Sequence, residues 1–407
     1  MKTNNFNSSI PVLDRVFFIM MGMIVFSSFS STLCQSVLHF PMTLPEPFFV
    51  VFVLILRKYL LPANIDKRIF SYLLLALLSL IIISQIIGKY SFYSVLSSSR
   101  GYLYLFLFYS VFVKKNKLRL EELLYISFGS LLGWSIACIM AFGVILRSPN
   151  ASIETYGNVI AVALFISITI LKKKWWLFTF GIGLLIIISF MSGIRRVIPI
   201  IIVACAFSLF CYFLQSAKSK LRMIPILLLL IVPFFYIIPA IGEYAEKNTP
   251  SLYYRLFTKS EQLINGEISE SDQARKLIIV NFQENLIDFM MPRGMVSNQY
   301  TNDKGTGAFM DFPFMALSYI FSFPLALLFV IYFLTKSFQC FFYYRLTLEE
   351  SAGVYSISSI IMLLLLFIEG TFLVHPYTTP FTGMCLGSIA YYGRKYIRIK
   401  HVHQIIN

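Results

Sequence analysis

The stretch IFSYLLLALLSLIIISQIIG, residues 69–88, decides the class of fold, because it carries no charged side chain along its whole length. A helix needs about 20 consecutive apolar residues to cross the hydrocarbon core of a bilayer. A strand of a membrane β-barrel would alternate apolar and polar residues instead, and this run does not alternate. Lys67 and Arg68 stand immediately before it. The stretch therefore predicts a membrane-spanning helix that begins beside a basic pair.

The rest of the chain repeats this pattern of apolar runs. Hydrophobic residues make up 58% of the 407 positions and charged residues 13%, whereas a soluble domain carries about 25% charged residues. The mean hydropathy is +0.76. We predict an all-α polytopic membrane protein, with about 12 transmembrane helices in a single integral membrane domain over residues 1–407. The predicted spans are 16–36, 46–61, 69–88, 93–113, 123–146, 157–171, 175–191, 197–215, 221–241, 311–335, 353–373 and 377–393.

The formal charge of +15 could suggest a nucleic-acid partner, but its distribution argues against one. The basic residues lie in short clusters between apolar runs, a pattern that sets the orientation of a membrane protein. One alternate set of loops, with both termini, holds 22 of the 34 basic residues and 6 of the 19 acidic ones. Basic loops stay on the cytoplasmic side. We therefore expect both termini in the cytoplasm, the bilayer as partner and no nucleic acid.

Residues 242–310 form a long polar loop on the predicted outer side, between spans nine and ten. A single long loop placed off-centre argues against a transporter built from two equal halves. Its segment 271–289 predicts an amphipathic helix that lies along the membrane surface. Arg275 falls in the middle of the apolar stripe, so we expect it to point toward the apolar side. The stripe consists of Ile278, Ile279, Phe282, Leu286 and Phe289.

Arginines on the outer side are candidates for holding a phosphate, because the guanidinium group is planar, always charged and binds phosphate at two points. Arg195 and Arg196 oppose the usual orientation rule. Arg100 lies within span four, about eight residues or ~12 Å from its outer end. The alternative is that such arginines extend to lipid headgroups. The other outer arginines are Arg147, Arg255, Arg275 and Arg293.

Three residues near the outer ends of spans could accept a proton from a hydroxyl nucleophile: Asp311, Glu369 and His375. The alternatives are a helix cap for Asp311, a buried ion pair for Glu369 and interfacial polarity for His375. The sequence contains no metal-ligand spacing, no glycine-rich phosphate loop and no Ser/His/Asp arrangement. We therefore expect neither a metal nor a cofactor.

Four segments resemble the O-antigen polymerases and O-antigen ligases of bacterial envelopes, which are multi-spanning glycosyltransferases with one long periplasmic loop. The segment TYGNVIAVALFI (155–166) resembles the start of a middle span in this family, which contains an asparagine. The segment SFMSGIRRVIPIIIV (189–203) resembles a span end of the family that carries an arginine. The loop helix is similar to ARKLIIVNFQENLIDFMMPRG (274–294). The return into the membrane is similar to DFPFMALSYIFSFPLALLFVIY (311–332). The similarity covers roughly residues 150–335.

The resemblance implies a GT-C-like fold in the bacterial inner membrane and a glycan on undecaprenyl diphosphate as substrate. The family's essential arginines, which are thought to hold the pyrophosphate, would fall on Arg195 or Arg196 and on Arg275. Arg100 and Arg293 would support them. Asp311 or Glu369 would act as the base. A chain-length regulator is a further expected partner.

The family also leaves alternatives. Ligases typically show His-Asn at the return into the membrane, and this chain has Asp311-Phe312, which favours a polymerase. Arg293-Gly294 replaces the family's more usual glycine-rich turn. The first alternative is an O-antigen ligase that moves glycan to lipid A-core. The second is a flippase or exporter of the lipid-linked unit, which would show a cavity open alternately to either side rather than a cleft under the long loop.

Overall fold

The structure is a computed structural model, and it describes most of the chain in segments. These are residues 10–36, 65–87, 92–114, 118–147, 158–192, 197–215, 282–295, 312–368 and 378–406, with a few single residues between 242 and 280. Within these segments 89% of the residues are helical and none forms a strand. The prediction of an all-α protein is confirmed for this part of the chain.

The helices are numbered along the chain. They are α1 (Val12–Val25), α2 (Phe29–Ser36), α3 (Lys67–Ile86), α4 (Phe92–Phe112), α5 (Leu120–Arg147), α6 (Val159–Leu171), α7 (Trp175–Ser192), α8 (Val197–Gln215), a 3₁₀ helix (Leu286–Met290), α9 (Pro313–Phe321), α10 (Phe323–Thr347), α11 (Glu350–Ile368) and α12 (Thr379–Ile406).

Four helices are long and apolar enough to cross a membrane: α3, α5, α10 and α11. Shorter apolar stretches occupy α6, α7 and α8. The chain is therefore a helical membrane protein. The count of twelve spans stays a prediction, because spans 46–61 and 221–241 lie outside the described residues. The inner membrane and the cytoplasmic position of both termini also stay predictions.

Two of the predicted spans are each divided into two helices. Span 16–36 consists of α1 and α2, separated by a bend at Phe26–Ser28. There the hydroxyl groups of Ser27 and Ser30 donate to the carbonyl oxygens of Met23 and Ile24. Such bonds compete with the helical backbone pattern. The serine-rich sequence therefore ends α1 where hydropathy alone predicts continuation.

Span 311–335 is divided at Ser322. This residue has a φ of +98°, a backbone conformation that L residues rarely adopt, and it separates α9 from α10. Pro324 follows in the first turn of α10, where a missing N–H group does no harm. The tenth predicted span is thus a short helix followed by a long one.

Helix α6 is the centre of the bundle. Each of its residues from Val159 to Leu171 is buried, as expected for a helix that is apolar on all sides. It packs against α5, α7, α8 and α11. Its 13 residues extend only ~20 Å, less than the ~30 Å hydrocarbon core of a bilayer.

Close backbone contacts align α4 with α12. A Cβ at Gly383 would overlap the carbonyl oxygen of Leu105, and one at Gly387 would crowd that of Tyr109. Small residues allow such close approach of helices in membranes. The two contacts advance by four residues on both helices, so α4 and α12 run parallel. The hydroxyl groups of Tyr109 and Tyr332 lie 2.9 Å apart and tie α10 to α4.

One end of the bundle, here called the basic end, is held by a polar cluster around Glu349. Its carboxylate accepts from the hydroxyl groups of Tyr343 at 2.8 Å and Tyr392 at 2.9 Å, and lies 3.7 Å from Nζ of Lys395. Burial alone would lower the pKa of Lys395, but the Glu349 carboxylate and the neighbouring tyrosines raise it overall. The opposite end is called the loop end, because residues 282–295 dock there.

Replacing Gly383 by Ala should destabilise the protein, because the added Cβ would overlap the Leu105 carbonyl oxygen and force α4 and α12 apart. Overpacking of this kind costs about 1–3 kcal/mol. The matched control is Gly183→Ala in α7, where a Cβ has nothing within 4 Å. Thermal unfolding of the purified protein in detergent should show a lower Tm for Gly383→Ala only. Equal Tm values for the two variants would contradict the close packing.

Candidate functional site

Arg100 lies on a partly exposed face of α4. Leu96 and Leu103, four residues before it and three after, are on the same face and are 48% and 36% exposed. Tyr102, on the opposite face, is buried. Arg100 stands about eight residues, or ~12 Å, below the first residue of α4 at the loop end. Arg100 therefore lies within α4 rather than at one of its ends.

Three other helices begin near the level of Arg100. The contacts of Gly383 and Gly387 place Thr379, the first residue of α12, beside Gly101. Tyr109 meets Tyr332 of α10, and Gly393 of α12 meets Lys336 and Gln339 further along α10, so α10 begins at about the level of Arg100. Phe108 of α4 and Ile126 of α5 line one cavity. The ring of Phe165 in α6 stacks on Phe128 of α5, so α6 begins close to the same level.

We call the level that contains Arg100, Asn158, Ser322 and Thr379 the polar layer. Asn158 is buried, and its side-chain oxygen accepts from the backbone N–H of Ala161 at 3.1 Å, which caps α6. The first N–H groups of a helix have no partner within the helix and carry a partial positive charge. The polar layer therefore holds the starts of three helices and one arginine, together with the C-terminal ends of α1 and α9.

The bend between α1 and α2 belongs to the same layer. Phe26 contacts the ring of Phe381 in the first turn of α12, with ring centroids 5.0 Å apart. The carbonyl oxygen of Phe26 accepts from the hydroxyl of Ser130 at 2.6 Å. Non-helical backbone inside a membrane needs protein partners or a water-filled cavity. The bend is thus a second interruption of regular helix at this depth.

The last part of the long loop, residues 282–295, packs onto the loop end and is called the loop arm. Its side chains Phe282, Leu286 and Phe289 form one apolar cluster with Tyr319 of α9 and Phe323 of α10. Glu284 and Asp288 are exposed. The predicted apolar stripe is confirmed for these three positions, although the chain here ends in a 3₁₀ helix. Ile278 lies outside the described residues.

Gly294 fixes the loop arm to α3. Its φ is +88°, and a Cβ there would overlap the hydroxyl and backbone of Ser84. The next residue, Met295, is fully buried, and its N–H donates to the Ser84 hydroxyl. The backbone N–H of Arg293 donates to the carbonyl oxygen of Tyr319 at 3.0 Å. The arm therefore bridges α3 and α9.

The guanidinium group of Arg293 is engaged within the arm itself. Nη2 lies 3.4 Å from a carboxylate oxygen of Asp288, and Nε donates to the Asp288 carbonyl oxygen at 3.2 Å. Arg293 was predicted to support a diphosphate, and its charge is paired here with a neighbouring acid. The sequence contains Asp288 five residues earlier, but no pattern signals this contact, since a 3₁₀ helix creates it.

The other predicted site residues fall outside the described residues. Arg195 and Arg196 lie between the end of α7 at Ser192 and the start of α8 at Val197. Asp311 lies two residues before the start of α9 at Pro313, and Glu369 follows the end of α11 at Ile368. Arg275 precedes the described Lys276. Of the seven predicted residues, the structure describes Arg100 and Arg293, and it places them on different segments.

Two further observations bear on chemistry. Within the described segments, no three residues among His, Cys, Asp and Glu are grouped so that they could hold a metal ion. No protein-family model matches the chain, and no curated protein is significantly similar to it. Any function must therefore be inferred from the residues themselves.

Replacing Ser84 by Ala should loosen the loop arm, because the buried N–H of Met295 loses its acceptor. An unsatisfied buried donor costs about 1–3 kcal/mol, so hydrogen exchange at the Met295 amide should accelerate roughly tenfold. Ser79→Ala is the matched control on α3, since its hydroxyl donates only to the Leu75 carbonyl oxygen. Unchanged exchange at Met295 in Ser84→Ala would contradict the docking.

Proposed function

We propose that this chain is a polymerase of lipid-linked O-antigen repeat units, a metal-independent glycosyltransferase that uses an undecaprenyl-diphosphate-linked donor. The observation that supports it is the polar layer, in which Arg100 stands level with the starts of α10 and α12 inside a membrane bundle. An ionisable residue inside a membrane is costly and is functional by default. The sequence resemblance of residues 150–335 points to the same class of reaction.

The positive charge of Arg100 and of the helix starts indicates a negatively charged ligand. Helix starts and arginine both attract anions, and phosphate groups bind readily at helix N-termini. A diphosphate on a polyprenyl chain combines such an anion with an apolar tail. Leu96 and Leu103 expose apolar surface on both sides of Arg100, so a lipid can approach this face from the bilayer. The same features suit a lipid diphosphate better than a soluble nucleotide sugar.

The proposed reaction transfers the growing glycan to one new repeat unit. A hydroxyl oxygen of the incoming unit forms a bond to the anomeric carbon of the growing chain. The bond between that carbon and the diphosphate oxygen breaks, and its electron pair leaves with the diphosphate. Asp311 or Glu369 takes the hydroxyl proton. Arg195, Arg196 and Arg275 bind the departing diphosphate, where fixed positive charge lowers the barrier most.

The first test concerns the proposed diphosphate arginines. Arg195→Ala and Arg275→Ala should each reduce polymer formation about 10²–10³-fold, because transition-state charge loses a fixed partner. The measurement is the ladder of polysaccharide lengths in cells, with membrane insertion checked by immunoblot. Full ladders in both variants would refute the assignment. Deleting the gene should leave a single repeat unit on the lipid core, whereas deletion of a ligase would leave none.

Arg100 is tested separately, because its proposed role is to hold the diphosphate with a charge that lies in the polar layer. Arg100→Ala should shorten the ladder strongly, and Arg100→Lys should retain part of the activity because it keeps the charge without the two-point geometry. Arg394→Ala is the matched control, an exposed arginine at the basic end. Equal ladders for Arg100→Ala and Arg394→Ala would show that Arg100 only extends to lipid headgroups.

A further inference from the structure

Besides the hydroxyl of Tyr102 on α4, three buried donor groups near the polar layer have no hydrogen-bond partner among the described residues. They are the hydroxyl of Ser28, the indole N–H of Trp134 and the hydroxyl of Thr379. Their residues are 3%, 1% and 0% exposed. A donor that is buried without an acceptor destabilises the fold. Groups of this kind therefore call for an acceptor that the bundle itself does not supply.

The three groups belong to neighbouring parts of the bundle. Ser27 packs against Gly133, since a Cβ on that glycine would overlap the Ser27 hydroxyl. Ser28 and Trp134 are the next residues after these two, so they lie at a similar depth. Phe26 contacts Phe381, two residues beyond Thr379. The bend after α1, the middle of α5 and the first turn of α12 thus meet at one depth.

Two helix starts lie beside these donors. α12 is 28 residues long and begins at Thr379, and α6 begins next to the buried Asn158. α12 also contacts α6. An indole N–H donates and cannot accept. The starts of α6 and α12 carry partial positive charge, and the Trp134 indole can only donate. These groups therefore favour binding of an anion that accepts hydrogen bonds over binding of a cation.

We propose that Ser28 in the bend after α1, Trp134 in α5 and Thr379 at the start of α12 bind phosphate oxygens of the lipid diphosphate. We call these residues the donor site. The donor site rests on the proposed function and adds to it a part of the diphosphate contact that contains no arginine. Its ligand is a phosphate ester on a lipid. Two sources share this chemistry, the polyprenyl diphosphate and the headgroup of an anionic phospholipid, and the donor site is assigned to the former.

The test is binding of undecaprenyl diphosphate to the full-length protein in phosphatidylcholine nanodiscs, measured by native mass spectrometry. Thr379→Val keeps the shape of the side chain and removes its hydroxyl. It should weaken binding about tenfold, the effect of a lost hydrogen bond to a charged group. Thr379→Ser, which keeps the hydroxyl, should bind within about twofold of the wild type on the same reasoning.

The matched control is Ser388→Ala. Ser388 is also buried on α12 and also has no hydrogen-bond partner within the described segments, but it lies nine residues beyond Thr379, well below the polar layer. This variant should bind like the wild type. Trp134→Phe gives an independent second measurement, with a similar loss expected from removal of one N–H. Normal binding by Thr379→Val and Trp134→Phe, or an equal loss in Ser388→Ala, would overturn the donor site.

Two further outcomes separate the possibilities. Displacement of undecaprenyl diphosphate by an equal amount of phosphatidylglycerol would overturn the assignment to the diphosphate lipid. Polysaccharide ladders from the same variants separate the donor site from the proposed function. If the wild-type chain makes no polymer but Thr379→Val still loses affinity, the proposed function fails and the phosphate site stands. If the wild-type chain makes polymer and Thr379→Val binds normally, the donor site alone fails.

Discussion

The structure depends on one constraint, the shortness of the central helix. α6 is buried on every side and spans 13 residues, so it covers only ~20 Å of an apolar layer ~30 Å thick. Its start must therefore lie inside the bundle, where unpaired N–H groups are expensive. Asn158 satisfies one of them. A polar level within the membrane follows from the length of this helix before any other residue is considered.

The packing of α10 and α12 places their starts at the same level as the start of α6. The glycines of α12 bring its backbone against α4, and the resulting register starts α12 well below the first residue of α4. The Tyr109–Tyr332 contact aligns α10 with α4, so α10 also starts below the first residue of α4. α4 therefore extends past the starts of α10 and α12 at the loop end. The loop arm docks at that end, on α3 and α9, through Gly294 and the Arg293 backbone.

Features with a local sequence signal could be predicted, and those made by tertiary contact could not. Apolar runs gave the helical class, and the period of the loop segment gave the cluster of Phe282, Leu286 and Phe289. The break at Ser322 was hidden because apolar residues continue on both sides of it. The pairing of Arg293 with Asp288 depends on the 3₁₀ helix of the loop arm, and the fit of Gly294 against Ser84 joins two segments whose approach no periodicity reveals.

The polar layer contains two sources of positive charge, the Arg100 side chain and the backbone N–H groups at the helix starts. Arg100 carries a full charge at a partly exposed face of α4, which a lipid can approach from the bilayer. The starts of α6 and α12 carry partial charges on rigid backbone in the interior, which need no rearrangement when a charge develops. In the proposed reaction, an arginine would capture the diphosphate and the fixed donors would hold it as its bond to the sugar breaks. This division explains why an interior with so few charged groups could still stabilise a departing anion.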